Sequence, residues 1–142
     1  LELTGKEKVL EVGTGSGYQA AILSQLASEV ISIERIPKLA ASARKNLDRV
    51  GISNVIVHLG DGTRGRPEDG PFDAILVTAG GPRVPEALLK QLVVGGRLVG
   101  PFGEKEAQRL MRYRCVAPGR FDEELLAHCR FVSLIGEHAW SD

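Results

Sequence analysis

Three short runs in this chain carry residue types that can do chemistry at a usable spacing. The first is Glu11-Val12-Gly13-Thr14-Gly15-Ser16-Gly17, between an apolar strand-like run and a helical pattern. Glycines at such a turn let the backbone bend sharply and admit a ligand where a Cβ would block it. The free N–H groups of the helix start then face that ligand. A glycine turn alone serves strand–helix packing equally well. The second is Glu34, 21 residues after Gly13, where a carboxylate can accept hydrogen bonds from both hydroxyls of a ribose. Taken alone it reads as evenly a solvated carboxylate at a strand terminus. The third is Asp61, between Gly60 and Gly62, which could accept from an adenine amino group but alone is better read as a turn. The three fall at the carboxyl ends of three consecutive strands, the edge where open α/β sheets bind ligands. Together they favour a ligand that carries a ribose.

Spacing narrows the ligand. The dinucleotide fingerprint is G-x-G-x-x-G, whereas here the third glycine comes one position early and Tyr18 stands in its place. The G-x-G-x-G form is typical of proteins that bind S-adenosylmethionine, which has no pyrophosphate to cradle. The small residues of Val77-Thr78-Ala79-Gly80-Gly81-Pro82 would leave room for a substrate beside a reactive methyl group, or form an ordinary Gly/Pro loop. Enzymes that methylate exocyclic amines of bases usually place Asn/Asp-Pro-Pro-aromatic at this point, and this chain does not. His58, His128 and His138 are scattered without a metal-like arrangement and read as structural or surface residues. No nucleophile-elbow signature accompanies a Ser-His-Asp set. Neither a metal site nor a catalytic acid–base group is expected.

These residues need a scaffold, and apolar runs of strand length alternate with helical patterns. Val9–Val12 reads as a strand, 17–27 as a helix, Val30–Glu34 as a second strand. Pro37 opens a helix with Leu39, Ala40, Ala43, Leu47 and Val50 inward, stopped by Gly51. Val55–Val57 begins a third strand, 63–71 is a loop, and 74–77 is a central strand covered on both faces. A helix from Pro85 turns Leu88, Leu89 and Leu92 inward, and a fifth strand spans Arg97–Val99. Leu110–Val116 and the run around Phe131–Ile135 flank Pro118-Gly119 and read as an antiparallel pair. Strand–helix units followed by an antiparallel edge make an α/β sheet in a single domain over 1–142.

Length and composition agree. With 142 residues, 43% hydrophobic, one domain of this size buries roughly 68–70% of the unfolded chain's surface, and the apolar content excludes disorder. No apolar run reaches the ~20 residues of a membrane helix. Eighteen basic residues balance eighteen acidic ones, which speaks against non-specific nucleic-acid binding. Cys115 and Cys129 are too few for a disulfide framework and suit a reducing, cytoplasmic setting.

Val9-Leu-Glu-Val-Gly-Thr-Gly-Ser-Gly-Tyr-Gln-Ala-Ala-Ile-Leu23 resembles the first motif of the protein-L-isoaspartate O-methyltransferases. So do Ser32–Ile36, Gly60–Gly62, Pro71–Ala79, Val84–Leu89, Gly95–Val99 and Arg130–Ile135, which together span essentially the whole chain. The resemblance implies a Rossmann-like, seven-stranded, mostly parallel sheet with an antiparallel C-terminal hairpin, in the order 3-2-1-4-5-7-6. It implies methyl transfer from S-adenosylmethionine to the carboxylate of L-isoaspartyl residues in damaged proteins, a repair step that leaves S-adenosylhomocysteine. By position, Glu11, Gly13, Gly15, Ser16 and Gly17 would line the methionine end of the cofactor, Glu34 the ribose, and Asp61 with Gly62 the adenine. Thr14, Arg35, Thr78 and Gln108 complete the implied cofactor set. Three departures stand out. Family members carry an upstream Gly-Gln-Thr-Ile-Ser type segment whose Ser or Thr contacts substrate, and this chain starts at Leu1 without one, reading as N-terminally truncated. Gly80-Gly81 replaces residues usually Ala-Ala, and Ser133 a usual Pro.

The leading expectation is therefore a repair-type carboxyl methyltransferase acting on isoaspartyl peptides and proteins. Two others are an S-adenosylmethionine-binding module without isoaspartyl activity and a methyltransferase of another substrate. A nicotinamide dehydrogenase fits the glycine spacing worst.

Overall fold

The computed structural model describes residues 1–141. Four parallel pairings build its core: β1 (Lys8–Val12) lies between β2 (Glu29–Glu34) and β4 (Phe72–Val77), β3 (Val55–Leu59) flanks β2, and β5 (Leu92–Glu104) flanks β4. The chain reverses direction across the sheet between β1 and β4, which opens a crevice at their carboxyl ends. Val9, Leu10, Glu11 and Val12 are all buried. The two helices α1 (Tyr18–Leu26) and α2 (Pro37–Arg49) both pack on the face that carries Val9, Val30, Val57 and Ala74. The opposite face carries Leu10, Val12, Ile31, Ile75, Val77 and Leu98, and is covered by α3 (Glu86–Leu89) together with Leu134. Central strands covered on both sides are what their near-continuous apolar sequences require.

The far side of the sheet departs from expectation. Its order is β3-β2-β1-β4-β5-β6-β7, not 3-2-1-4-5-7-6. β6 (Ala107–Ala117) and β7 (Arg120–Cys129) follow β5 as a meander, each antiparallel to the one before. Two tight turns, at Glu104–Ala107 and at Ala117–Arg120, fix this order, because each folds its strand directly onto its predecessor. The partner of β6 is accordingly Arg120–Cys129, not Phe131–Ile135. β7 is an exposed edge along nearly its whole length, so no apolar alternation marks it in the sequence. α3 is only four residues long and releases Leu92 into β5. β5 in turn runs well past Arg97–Val99, with its register to β4 shifting across Gly95-Gly96. The 63–71 stretch contains two short 3-10 turns, Gly62–Arg64 and Pro67–Asp69.

The segment after β7 does what no expectation covered. It crosses back over the carboxyl ends of the strands, where Gly80 N–H donates to Val132 O at 2.6 Å and Leu134 N–H donates to Gly80 O at 2.7 Å.

Candidate functional site

A cavity of about 410 Å³ opens at the carboxyl ends of β1, β2 and β4, within the usual size range for small-molecule sites. Its floor is the glycine turn after β1. Gly13 adopts φ 101° and Gly15 φ 55°, conformations that glycine alone reaches without strain. A Cβ on Gly13 would meet Thr78 Oγ1 at 2.5 Å, whereas a Cβ on Gly15 would project into open space. Thr78 closes the crevice from the β4 side, its hydroxyl donating between Val12 O at 2.9 Å and Gly13 O at 2.8 Å. α1 begins at Gly17 without a side-chain cap.

Glu34 forms the second wall. Gly15 N–H donates to Glu34 Oε1 at 2.9 Å and Ile36 N–H to Oε2 at 3.1 Å. A carboxylate offers about four acceptor positions, so two remain for a ligand. Arg35, Ile36 and Leu39 continue this wall. Leu39, expected to face the core from α2, is exposed and lines the cavity instead, and the buried Gly62 lines it on the β3 side.

Glu11 and Thr14 lie beneath the turn, out of the cavity. Ser32 Oγ–H donates to Glu11 Oε1 at 2.6 Å, and Thr14 Oγ1 and Ser32 Oγ share a hydrogen bond at 2.6 Å. Glu11 Oε2 is buried with no partner. Burial pushes the Glu11 carboxyl up to about 7, against the Ser32 hydrogen bond and with help from the charge of Glu34. Ser16 is exposed, its carbonyl accepting from Asn46 Nδ2, and Gly17 packs on Ala43.

Asp61 also stands apart from the cavity lining. Its Oδ1 accepts from Thr63 N–H at 3.0 Å and from the Thr63 hydroxyl at 2.6 Å, while Oδ2 accepts from Glu137 N–H at 2.9 Å. Burial raises its carboxyl, but these donors and the Arg64 guanidinium outweigh it and hold it below the ordinary range. Asp61 therefore ties the returning C-terminal segment to the loop after β3. Gln108 is buried on the outer side of that segment. Of the sequence-derived set, the cavity brings together Gly13, Gly15, Glu34, Arg35, Gly62 and Thr78.

Sequence reasoning missed the apolar lining residues Val12, Ile33, Ile36, Leu39 and Ala79, and with them the segment Val132–Ile135. The apolar, β-branched run of that segment looked like a strand, and only the Gly80 pairing reveals its destination.

A sequence model of the family described as protein-L-isoaspartate(D-aspartate) O-methyltransferase matches residues 1–139. The chain belongs to that family. It is 57% identical over 140 residues to a protein-L-isoaspartate O-methyltransferase of Trichlorobacter lovleyi, covering 99% of this chain and 64% of the relative. It is 53% identical over 143 residues to the one of Syntrophus aciditrophicus, covering 99% of this chain and 66% of that protein. The chain thus spans just under two thirds of these relatives' length. Among solved structures, a protein-L-isoaspartate O-methyltransferase superposes with a TM-score of 0.89 at 35% identity, over 96% of this chain and 44% of that one. A Plasmodium falciparum structure, described as a putative family member in complex with S-adenosyl-L-homocysteine, superposes with a TM-score of 0.75 at 27% identity, over 91% and 66% of the two chains. No helix among the described residues is long and apolar enough to cross a membrane.

Proposed function

We propose that the chain binds S-adenosylmethionine in this cavity and acts as a protein-L-isoaspartate O-methyltransferase on isoaspartyl peptides and proteins. The observation that carries the reading is the joining of the Gly13–Gly15 turn, the Glu34 carboxylate and Gly62 around one cavity. The residues fit such a cofactor. The open space beside Gly15 admits an extended group against the backbone. Glu34 keeps acceptor positions for two ribose hydroxyls. Ile33, Ile36 and Leu134 supply apolar surface for a purine ring.

When bound, S-adenosylmethionine supplies a methyl group that passes to a carboxylate oxygen, a C–O bond forming as the C–S bond breaks and sulfur keeps the electron pair. A carboxylate is already ionised near neutral pH, so this chain needs no general base. Its residues have a positioning task, and holding reacting atoms in line is a large part of such a barrier. The glycine turn and Glu34 fix one partner, with Thr78 and Ala79 beside them in the cavity lining.

Transfer of a labelled methyl group to an isoaspartyl peptide, with its aspartyl twin as control, tests the reading. Labelling of the isoaspartyl peptide alone is expected. A folded protein that binds cofactor and labels neither peptide would instead be a cofactor-binding module or a methyltransferase of another substrate.

A further inference from the structure

The segment Val132–Ile135 lines one side of the cavity, yet it belongs to no strand or helix of the sheet. Something must hold it. Gln108, the second residue of β6, is 2% exposed. Its Nε2 donates to Glu104 O at 2.7 Å and to Lys105 O at 2.8 Å, and its Oε1 accepts from Phe131 N–H at 2.7 Å. Two carbonyls on one side and an N–H on the other leave the amide a single sensible orientation. One side chain therefore links the β5–β6 turn to Phe131, the residue that precedes the wall.

The contact extends inward. Gly80 pairs with both Val132 and Leu134, and a Cβ on Gly80 would sit 2.9 Å from Gln108 Cδ. The amide thus lies directly behind the Gly80–Ser133 bridge, and Val132, Ser133 and Leu134 line the cavity on its other side. Gln108 itself does not reach that cavity.

We infer that Gln108 is a positioning residue for the cofactor cavity: it braces the Val132–Leu134 wall from outside and sets cofactor affinity without touching the ligand. The inference rests on the proposed use of that cavity. The chemistry explains the residue type. A methionine of similar length would take this partner from the part-buried Phe131 N–H and the Glu104 and Lys105 carbonyls. A glutamate would keep the acceptor for Phe131 but turn a second oxygen towards two carbonyls, unless it takes up a proton and donates in place of Nε2.

The test measures S-adenosylhomocysteine affinity by calorimetry and amide exchange by NMR in wild-type protein, Gln108→Met and Gln108→Glu. Affinity should fall by about tenfold or more in Gln108→Met. Exchange should quicken at Gly80 and Leu134, while Leu10, Ile31 and Ile75 in the central strands stay protected. In Gln108→Glu the deficit relative to wild type should shrink as pH falls and the new carboxyl is protonated. Should Gln108→Met fail to fold, Gly80→Ala pushes on the same amide from the cavity side and should weaken binding too. Both variants binding like wild type, with unchanged exchange at Gly80 and Leu134, would overturn the inference and leave the cofactor reading intact. Wild-type protein that does not bind would overturn the cofactor reading itself.

Discussion

Gly15 donates its backbone N–H to Glu34 Oε1 at 2.9 Å, so the carboxylate at the end of β2 holds the glycine turn at the end of β1. The same carboxylate steadies Ile36 as the chain leaves β2. One side chain therefore shapes two walls of the cavity and still presents acceptor positions to it.

Replacing Glu34 should cost twice. Glu34→Ala removes the proposed ribose acceptor and releases the Gly15 N–H, so S-adenosylhomocysteine binding should weaken by roughly 1–3 kcal/mol. Titration calorimetry reads the change directly. Unaltered affinity would remove Glu34 from the ligand site.

Gly15→Val should abolish binding. A Cβ there enters open cavity space, and φ 55° is hostile to a branched side chain. The backbone strain should lower stability by about 1–3 kcal/mol, so circular dichroism should still report a folded protein. A variant that binds normally would make the turn purely structural.

Much of this was legible in the sequence for physical reasons. The parallel half of the sheet has strands buried on both faces, and such strands announce themselves as apolar runs. Gly13, Gly15 and Glu34 lie within the first β-α-β unit, where loop geometry is local and spacing carries information. The C-terminal half was harder. β7 buries almost nothing, so its sequence is not patterned, and the apolar Phe131–Ile135 run imitated the missing strand. The contacts that the Asp61 carboxylate makes with Thr63 and Glu137 cannot be read from the Gly60-Asp61-Gly62 run. Nor does the Glu11–Gly17 run show that Ser32 donates to Glu11 beneath the turn. The Asp61–Glu137 and Glu11–Ser32 contacts join residues far apart in sequence.

Asp61→Ala should loosen the returning segment at its far end. Loss of the Glu137 and Thr63 hydrogen bonds should speed amide exchange at Glu137 and destabilise the fold by about 1–3 kcal/mol. Protection at Glu137 matching wild type would show that the carboxylate is not the tether.

Glu11 should give stability a pH slope. Its carboxyl is raised from 4.5 to about 7, so the folded protein keeps a proton that the unfolded chain has already lost. Stability from this group is full below about pH 4.5 and is lost as pH rises through 7, a difference on the order of 3 kcal/mol. Asp61, held below 3.8, acts oppositely, its contribution falling away in acid. Glu11→Gln should flatten the slope between pH 5 and 7.5 in urea unfolding. An unchanged slope would assign the proton elsewhere.

The most direct test of the account is to titrate S-adenosylhomocysteine into isotope-labelled protein and follow the backbone amides. Saturable shifts centred on Gly13, Gly15, Ile36, Gly62 and Leu134, with no comparable response to NAD, are the predicted result. No saturable binding, or shifts centred away from the carboxyl ends of β1, β2 and β4, would contradict it.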